Sequence, residues 1–456
     1  GLGVFMRPGY KESDLVDYGT DNLKAGLSLH YKLNDSVEVI AGSNYSRGST
    51  VYQGDNRYRL KNIQFFQQRL EVKQEGKWFV RSYFTTEDAG DTYDIFTTGL
   101  RLQEASGTTK DWNTTYFNLW DSWIGSALNP GLLDATVPGY YTPSEAPAQG
   151  ITSQAAYDAY ITQFVADNQP LYTQYHQMVA DSVDRLDNAA LNQAYIVGTD
   201  RFDQKFNEIT TKRFTEGGSL FYDRSKLAHA MGEYRFKPSF GEIVVGGNFR
   251  QYMPRSAGTI FKDTGDVVIR NSEFGIYSGL EKKLMADKLK ATATLRMDKN
   301  QNFKAIFSPA VSFVYTPKQD RTFRLSFSSA VRNPTLADQY FYYNVGRAVL
   351  LGNVEGQFEQ GRDSLITLES FDLYRNTPNL NDGVAKLDYF NIERIRPEQA
   401  RTLEVGYRAT HWEKIYFDAS AYTSWYTDFI GYLIGIKSQF ASSGLPIGGI
   451  QAYRLA

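Results

Sequence analysis

The 456 residues contain no cysteine, which excludes both a disulfide framework and a thiolate metal centre. No apolar run approaches the ~18 residues that a membrane-spanning helix needs, and mean hydropathy is −0.44. A helical membrane protein is thereby excluded. An excess of basic charge is missing too: 49 Lys and Arg stand against 51 Asp and Glu. There is no electrostatic footprint for nucleic acid and no basic run for an anionic surface. Histidine is scarce, and His30, His176, His229 and His411 are scattered singly, so no His-based metal site is read. Neither a phosphate-binding glycine loop nor a Gly-x-Ser-x-Gly elbow occurs, the pair Gly246 and Gly247 included. The chain reads as no enzyme and implies no cofactor.

What is abundant is aromatic: 32 Tyr, 29 Phe and 6 Trp. Many of these residues lie in long stretches that alternate apolar with polar, the period of a strand with one greasy side. In "KIYFDASAYTSWYTDFIGY" (414–432), Ile415, Phe417, Ala419, Ala421 and Trp425 oppose Tyr416, Asp418, Ser420, Tyr422 and Tyr426. Strands of globular proteins run about 5–6 residues, and this alternation is far longer. Similar strands are predicted near 23–33, 36–48, 63–74, 77–87, 224–237, 241–254, 268–284, 288–299, 305–316, 321–332, 400–411 and 448–456.

The connections alternate in length. Short ones fall at 33–36, 74–77, 237–241, 285–288, 316–321 and 411–414; longer ones fall at 49–62, 88–223, 255–267, 299–304, 333–399 and 431–447. In an up-and-down meander all the short turns share one end and all the long loops the other. That is the signature of a transmembrane antiparallel β-barrel with short periplasmic turns and long extracellular loops. Its polar lumen residues hide the lipid-facing ones from any averaged hydropathy. The predicted strands leave an open edge, which lipid cannot satisfy; further strands, or another chain, are expected to close it.

Two loops stand out. Within 88–223, Tyr157, Tyr160, Ile161, Phe164 and Val165 follow helical spacing, as do Leu171, Tyr175, Met178 and Leu186, with Pro170 placed to open the second helix. This is a helical island inside an extracellular insertion. The loop 333–399 is polar and rich in Asn, Asp and Gly; loops of such length are usually functional.

Two further stretches, "FRLSFSSAVRNPTLADQYFY" (323–342) and "IRPEQARTLEVGYR" (395–408), followed by "IYFDASAYTSWYTDFIG", carry a resemblance. The order Arg332 to Thr335, Pro397 with Glu398, Glu404 to Tyr407, and Thr427 to Ile430 resembles the C-terminal barrel of TonB-dependent outer-membrane receptors. The resemblance implies a barrel of about 22 strands with a plugged lumen in the outer membrane of a Gram-negative bacterium. It also implies an uptake receptor for a small-molecule, glycan or peptide ligand. A TonB-type inner-membrane complex would drive it through an N-terminal segment, and a surface lipoprotein is a conceivable companion. No plug or energy-coupling box is read ahead of residue 23, so residues 1–456 are expected to be a barrel segment. The alternative is a passive porin-like or structural barrel without energy coupling.

Three sets of side chains are candidate contacts. Tyr116, Phe117, Trp120 and Trp123 in "YFNLWDSWIG" offer flat faces for sugars or other planar ligands, unless they pack under the helices of 153–215. Tyr340, Tyr342 and Tyr343 follow the Arg-Asn-Pro-Thr stretch and are placed to line the barrel mouth. Asp88, Asp91 and Asp94, with Glu87, gather oxygen ligands of the kind Ca²⁺ prefers, but without an ordered loop spacing. The inward Arg250, Arg324, Arg408 and Glu404 are expected to pair with one another or with a plug.

Overall fold

The computed structural model describes residues 7–54, 56–125, 139–344, 348–355, 365–412, 414–440 and 446–455. The chain forms two compact units, Gly1–Asp17 with Asp94–Ser219, and Tyr18–Tyr93 with Leu220–Ala456.

The second unit is built from strands. In chain order they are β1 (Asp21–Lys32), β2 (Val37–Gln53), β3 (Arg57–Gln74), β4 (Trp78–Asp88), β5 (Tyr93–Asp94), β6 (Lys226–Phe236), β7 (Glu242–Met253), β8 (Asn271–Leu284), β9 (Leu289–Asn300), β10 (Ile306–Lys318) and β11 (Arg321–Arg332). There follow the short β12 (Tyr342–Asn344), β13 (Val349–Leu351), β14 (Leu365–Ile366) and β15 (Tyr389–Phe390), then β16 (Glu398–His411), β17 (Ile415–Thr427), β18 (Gly431–Phe440) and β19 (Pro446–Leu455). Among the described residues one sheet runs β1-β2-β3-β4-β6-β7-β8-β9-β10-β11-β16-β17, with β5 beside β3. Its long strands pair with antiparallel neighbours throughout. No pairing joins β1 to β17 among the described residues, so the sheet is not closed.

Register turns the alternation of each strand into two continuous faces. Phe236, Ile243, Leu280, Ala293, Val311, Phe327 and Leu403 stand opposite one another in a single row across β6 to β11 and β16. Leu280, Val311, Phe327 and Leu403 are exposed there, as are Leu325, Val405 and Phe417 nearby. The opposite face carries Arg, Glu, Asp and Asn side chains that bond one another. No helix among the described residues is long and apolar enough to cross a membrane.

The turns show why the strands reverse where they do. At β1–β2, Asn34 Oδ1 accepts from the backbone N–H of Ser36 and of Val37, both at 2.9 Å, an Asx turn that fixes the hairpin.

The strands of the second sheet depart from the sequence reading. Residues 431–447 read as a loop, yet β18 occupies Gly431–Phe440. The last strand does not extend the main meander. β19 pairs antiparallel with β18 and parallel with β13, giving a second sheet in the order β12-β13-β19-β18-β14-β15. β18 and β19 pair mainly with each other, and the short loop segments β12–β15 flank them; segments of two or three residues leave no trace in strand periodicity.

The first unit is helical: α1 (Glu12–Leu15), α2 (Ile95–Ala105), α3 (Thr109–Trp120), α4 (Gln154–Asp167), α5 (Gln169–Asp184) and α6 (Asp200–Thr211). Their starts are chemically marked. Asp94, Thr108, Ser153 and Thr199 cap α2, α3, α4 and α6 by accepting from backbone N–H groups in the first turn. Pro170 stands in the first turn of α5, where its missing N–H does no harm. α3, α4 and α5 share one core containing Trp112, Tyr116, Trp120, Phe164, Tyr172, Val179 and Val183.

Candidate functional site

The polar face of the main sheet is cross-braced by long side chains that span an intervening strand. Tyr277 of β8 donates to Glu233 of β6 at 2.7 Å, its ring lying over Gly246 of β7, where a Cβ would overlap it. Arg296 of β9 crosses Gly275 of β8 to donate to Asn248 of β7 at 2.7 Å, and grips Asp298 with two bonds of 2.7 and 2.5 Å. Arg324 of β11 crosses Gly406 of β16 to donate to Asp418 of β17 at 2.6 Å. Only a residue without a side chain leaves room for such a crossing. The partners of the inward arginines are therefore more specific than the sequence indicates. Arg324 and Arg408 converge on Asp418, while Glu404 faces Ser326 and Tyr422 in register.

At the end of the sheet that carries the long insertions, this face holds a cavity of about 800 Å³. Its floor is the inner wall of β6 to β9, with His229, Asn248, Arg250, Glu273, Tyr277 and Arg296; its roof is the Arg-Asn-Pro-Thr stretch, with Asn333, Pro334 and Thr335. Thr335 opens α7 (Leu336–Tyr340) in a reciprocal cap with Asp338. Gln339, buried in α7, ties the roof down. Its Nε2 donates to Pro334 O at 2.7 Å, and its Oε1 accepts from Asn271 Nδ2 at 3.1 Å and Asn302 Nδ2 at 2.7 Å. Asn300 Nδ2 extends the network to Asn271 Oδ1 at 2.8 Å and to Glu273 Oε1 at 2.9 Å. Asn271, Asn300 and Gln339 are all buried, and each amide carries donor and acceptor for such a network. Single Asn and Gln residues at strand ends have no periodic signature, so this network was invisible in the sequence.

The aromatic candidates separate by environment. "YFNLW" is not loop but part of α3. Tyr116 and Trp120 are core residues, stacked with Trp112 at 5.2 Å from Tyr116 and with His176 of α5 at 4.1 Å from Trp120. Their faces are covered by protein. Burial pushes the Tyr116 hydroxyl up to about 12 and holds the His176 imidazole below its ordinary value. The Tyr116 hydroxyl and His176 Nδ1 share a hydrogen bond. Trp123 packs beside the same core, and Phe117, 66% exposed, is the one open ring of the four. The i, i+4, i+8 spacing of Trp112, Tyr116 and Trp120 is the signal that marks the helix.

Tyr340, Tyr342 and Tyr343 also take different roles. The Tyr340 hydroxyl accepts from Asn271 and Asn302. Tyr343 is buried and accepts from the Tyr58 hydroxyl at 2.9 Å. Tyr342 is exposed, with the Lys262 ammonium 5.8 Å from its ring centre. The acidic candidates are occupied one by one. Asp88 pairs with Arg224 at 3.0 Å, Asp91 accepts from Asn62 Nδ2 at 2.7 Å, and Asp94 caps α2. Among the described residues no group of three His, Cys, Asp or Glu is gathered to hold a metal ion.

Long antiparallel strands, one apolar exposed face, one cross-braced polar face and long insertions at one end define a wall of the outer-membrane β-barrel class. The chain belongs to the TonB-dependent receptors: the family described as "TonB dependent receptor-like, beta-barrel" matches residues 120–444. Among solved structures, the siderophore receptor PirA from Acinetobacter baumannii is similar at 11% identity, with a TM-score of 0.46, over 96% of this chain and 48% of that one. A variant of the ferric enterobactin receptor PfeA from Pseudomonas aeruginosa, in complex with enterobactin, is similar at 10% identity, with a TM-score of 0.48, over 98% of this chain and 50% of that one. The chain thus spans about half the length of these structures. No curated protein matches it.

Proposed function

We propose that the chain is the barrel portion of an energised uptake receptor in the outer membrane of a Gram-negative bacterium. The observation that carries this reading is the pairing of two opposite faces in one sheet. The exposed apolar row from Phe236 to Leu403 suits lipid, and the braced polar face holds a cavity beneath Asn333 and Thr335. About 9–11 tilted residues cross the hydrocarbon core, so the 18-residue β3 and 17-residue β2 reach well beyond it. The insertions 88–223 and 333–399 then lie on the extracellular side and select the ligand, with Phe117 and Tyr342 the candidate rings free to touch it.

In this reading the barrel wall is static. Substrate passes beside it when a TonB-type inner-membrane complex moves a plug, and a surface lipoprotein would dock over the insertions. The substrate is a small molecule, glycan or peptide rather than nucleic acid. The test is solute depletion. Cells lacking the protein and cells lacking TonB should leave the same solute in the spent medium, and the wild type should remove it. A solute taken up normally without TonB would instead indicate a passive pore.

A further inference from the structure

Resting on the uptake reading, we infer that the cavity wall beside Arg250 and His229 binds an oxyanion, a carboxylate or phosphate group, of the small-molecule ligand. One row of the polar face, in register from β3 to β9, reads Arg69, Tyr83, His229, Arg250, Glu273 and Asn300. His229 is 8% exposed, and neither ring nitrogen has a partner or contact with solvent. The ring of Tyr83 packs edge-on against it at 4.6 Å and supplies no hydrogen bond. Arg250 stands directly opposite in register. Its Nε is likewise shielded and unpartnered, and its Nη1 reaches the Tyr252 hydroxyl only at 3.5 Å.

The contrast with Arg296, which lines the same cavity, decides what is missing. Arg296 is answered by a two-pronged grip on Asp298 and by Asn248. Arg250 has no such carboxylate. The acid beside it in register is Glu273, whose Oε1 already accepts from Asn300 at 2.9 Å and Asn333 at 3.2 Å. A guanidinium is a planar fork matched to an oxyanion. A buried imidazole with two idle nitrogens can turn either to the same guest. Glu273 repels an anion from the β8 side and so seats it on the side of Arg250 toward β6 and His229. The volume of about 800 Å³ suits a small molecule rather than a polymer.

The experiment is calorimetric titration of the full-length protein in detergent with malonate and with inorganic phosphate, using sucrose as the uncharged control. At least one anion should bind saturably and sucrose should not. Arg250→Gln should weaken that binding about tenfold or more, Arg250→Lys less, and His229→Gln measurably. Arg408→Gln, at the Asp418 bridge, should leave it unchanged. Absence of binding of either anion to folded wild-type protein overturns the inference, as does binding that Arg250→Gln leaves intact. A carboxylate from another segment of the protein is a different occupant: then no added anion binds, and Arg250→Gln lowers the melting temperature. That result also overturns the inference, while TonB-dependent solute depletion would still stand.

Discussion

Arg324 and Asp418 are joined at 2.6 Å although a whole strand, β16, lies between them. The bridge passes over Gly406, the third residue of the Glu-Val-Gly-Tyr stretch. The flanking Val405, which is exposed, and Tyr407, which is half-buried, belong to the apolar face, so this short stretch serves both surfaces of the wall: side chains outward and a gap inward. The family likeness of the stretch thereby acquires a steric meaning.

Gly406→Ala should lower the unfolding free energy by about 1–3 kcal/mol, because a Cβ would sit 2.8 Å from Arg324 Nε and displace the guanidinium. Most of that loss should vanish in an Arg324→Ala background. Gly431→Ala, with nothing within 4 Å of the new carbon, is the matched control. Urea unfolding in detergent reads all three.

The roof of the cavity offers a second test. Gln339→Leu removes one of the two acceptors shared by the buried Asn271 amide and the half-buried Asn302 amide, leaving them only the Tyr340 hydroxyl, at about 1–3 kcal/mol for a buried donor left under-bonded. Thr335→Ala removes one cap and should cost about 1 kcal/mol. Hydrogen exchange should report faster opening around residues 333–340 in both, and more so in Gln339→Leu. Equal rates in the two variants would contradict the network.

In the helical unit, Trp120→Ala should destabilise by about 3–5 kcal/mol, since the ring is buried between Tyr116 and His176. Phe117→Ala should stay within about 0.5 kcal/mol. If Phe117 touches ligand, it changes uptake and not the melting of the helical circular dichroism signal.

The same unit should weaken in mild acid through His176. Burial depresses its folded pKa below the ordinary 6.5, so the unfolded chain takes up the proton first. Its contribution is complete above about pH 6.5 and is lost as pH falls through the window between that value and the depressed one. Asp184 acts in the opposite sense at lower pH, because burial raises its pKa above 3.8. The comparison is therefore with His176→Gln, whose melting temperature should fall less between pH 7 and pH 5 than that of the wild type; parallel curves would refute the assignment.

Most of the wall was legible because alternation over more than ten residues has one physical reading. β11 and β17 begin at 321 and 415, where the pattern places them. What stayed hidden depends on register, which no single strand encodes. The crossings over Gly246, Gly275 and Gly406 and the row from Arg69 to Asn300 emerge only when strands are paired. α3 lies outside the helical island read at 153–215 although Trp112, Tyr116 and Trp120 repeat every four residues, because aromatic richness fits ligand contact and helix packing equally well. β18 pairs along its length with β19 and at one position with the loop segment β14, outside the main meander, so the alternation of short turns and long loops gives no place for it.

The absence of native cysteine makes the central claim directly testable. One cysteine is placed at Asp35, in the β1–β2 turn, and one at Phe117, exposed on α3, each alone in the full-length protein. Intact cells are then treated with a membrane-impermeant maleimide. Phe117→Cys should label on intact cells and Asp35→Cys only after the outer membrane is permeabilised. Labelling of Asp35→Cys on intact cells with Phe117→Cys protected would invert the wall and contradict the assignment of the long insertions to ligand capture.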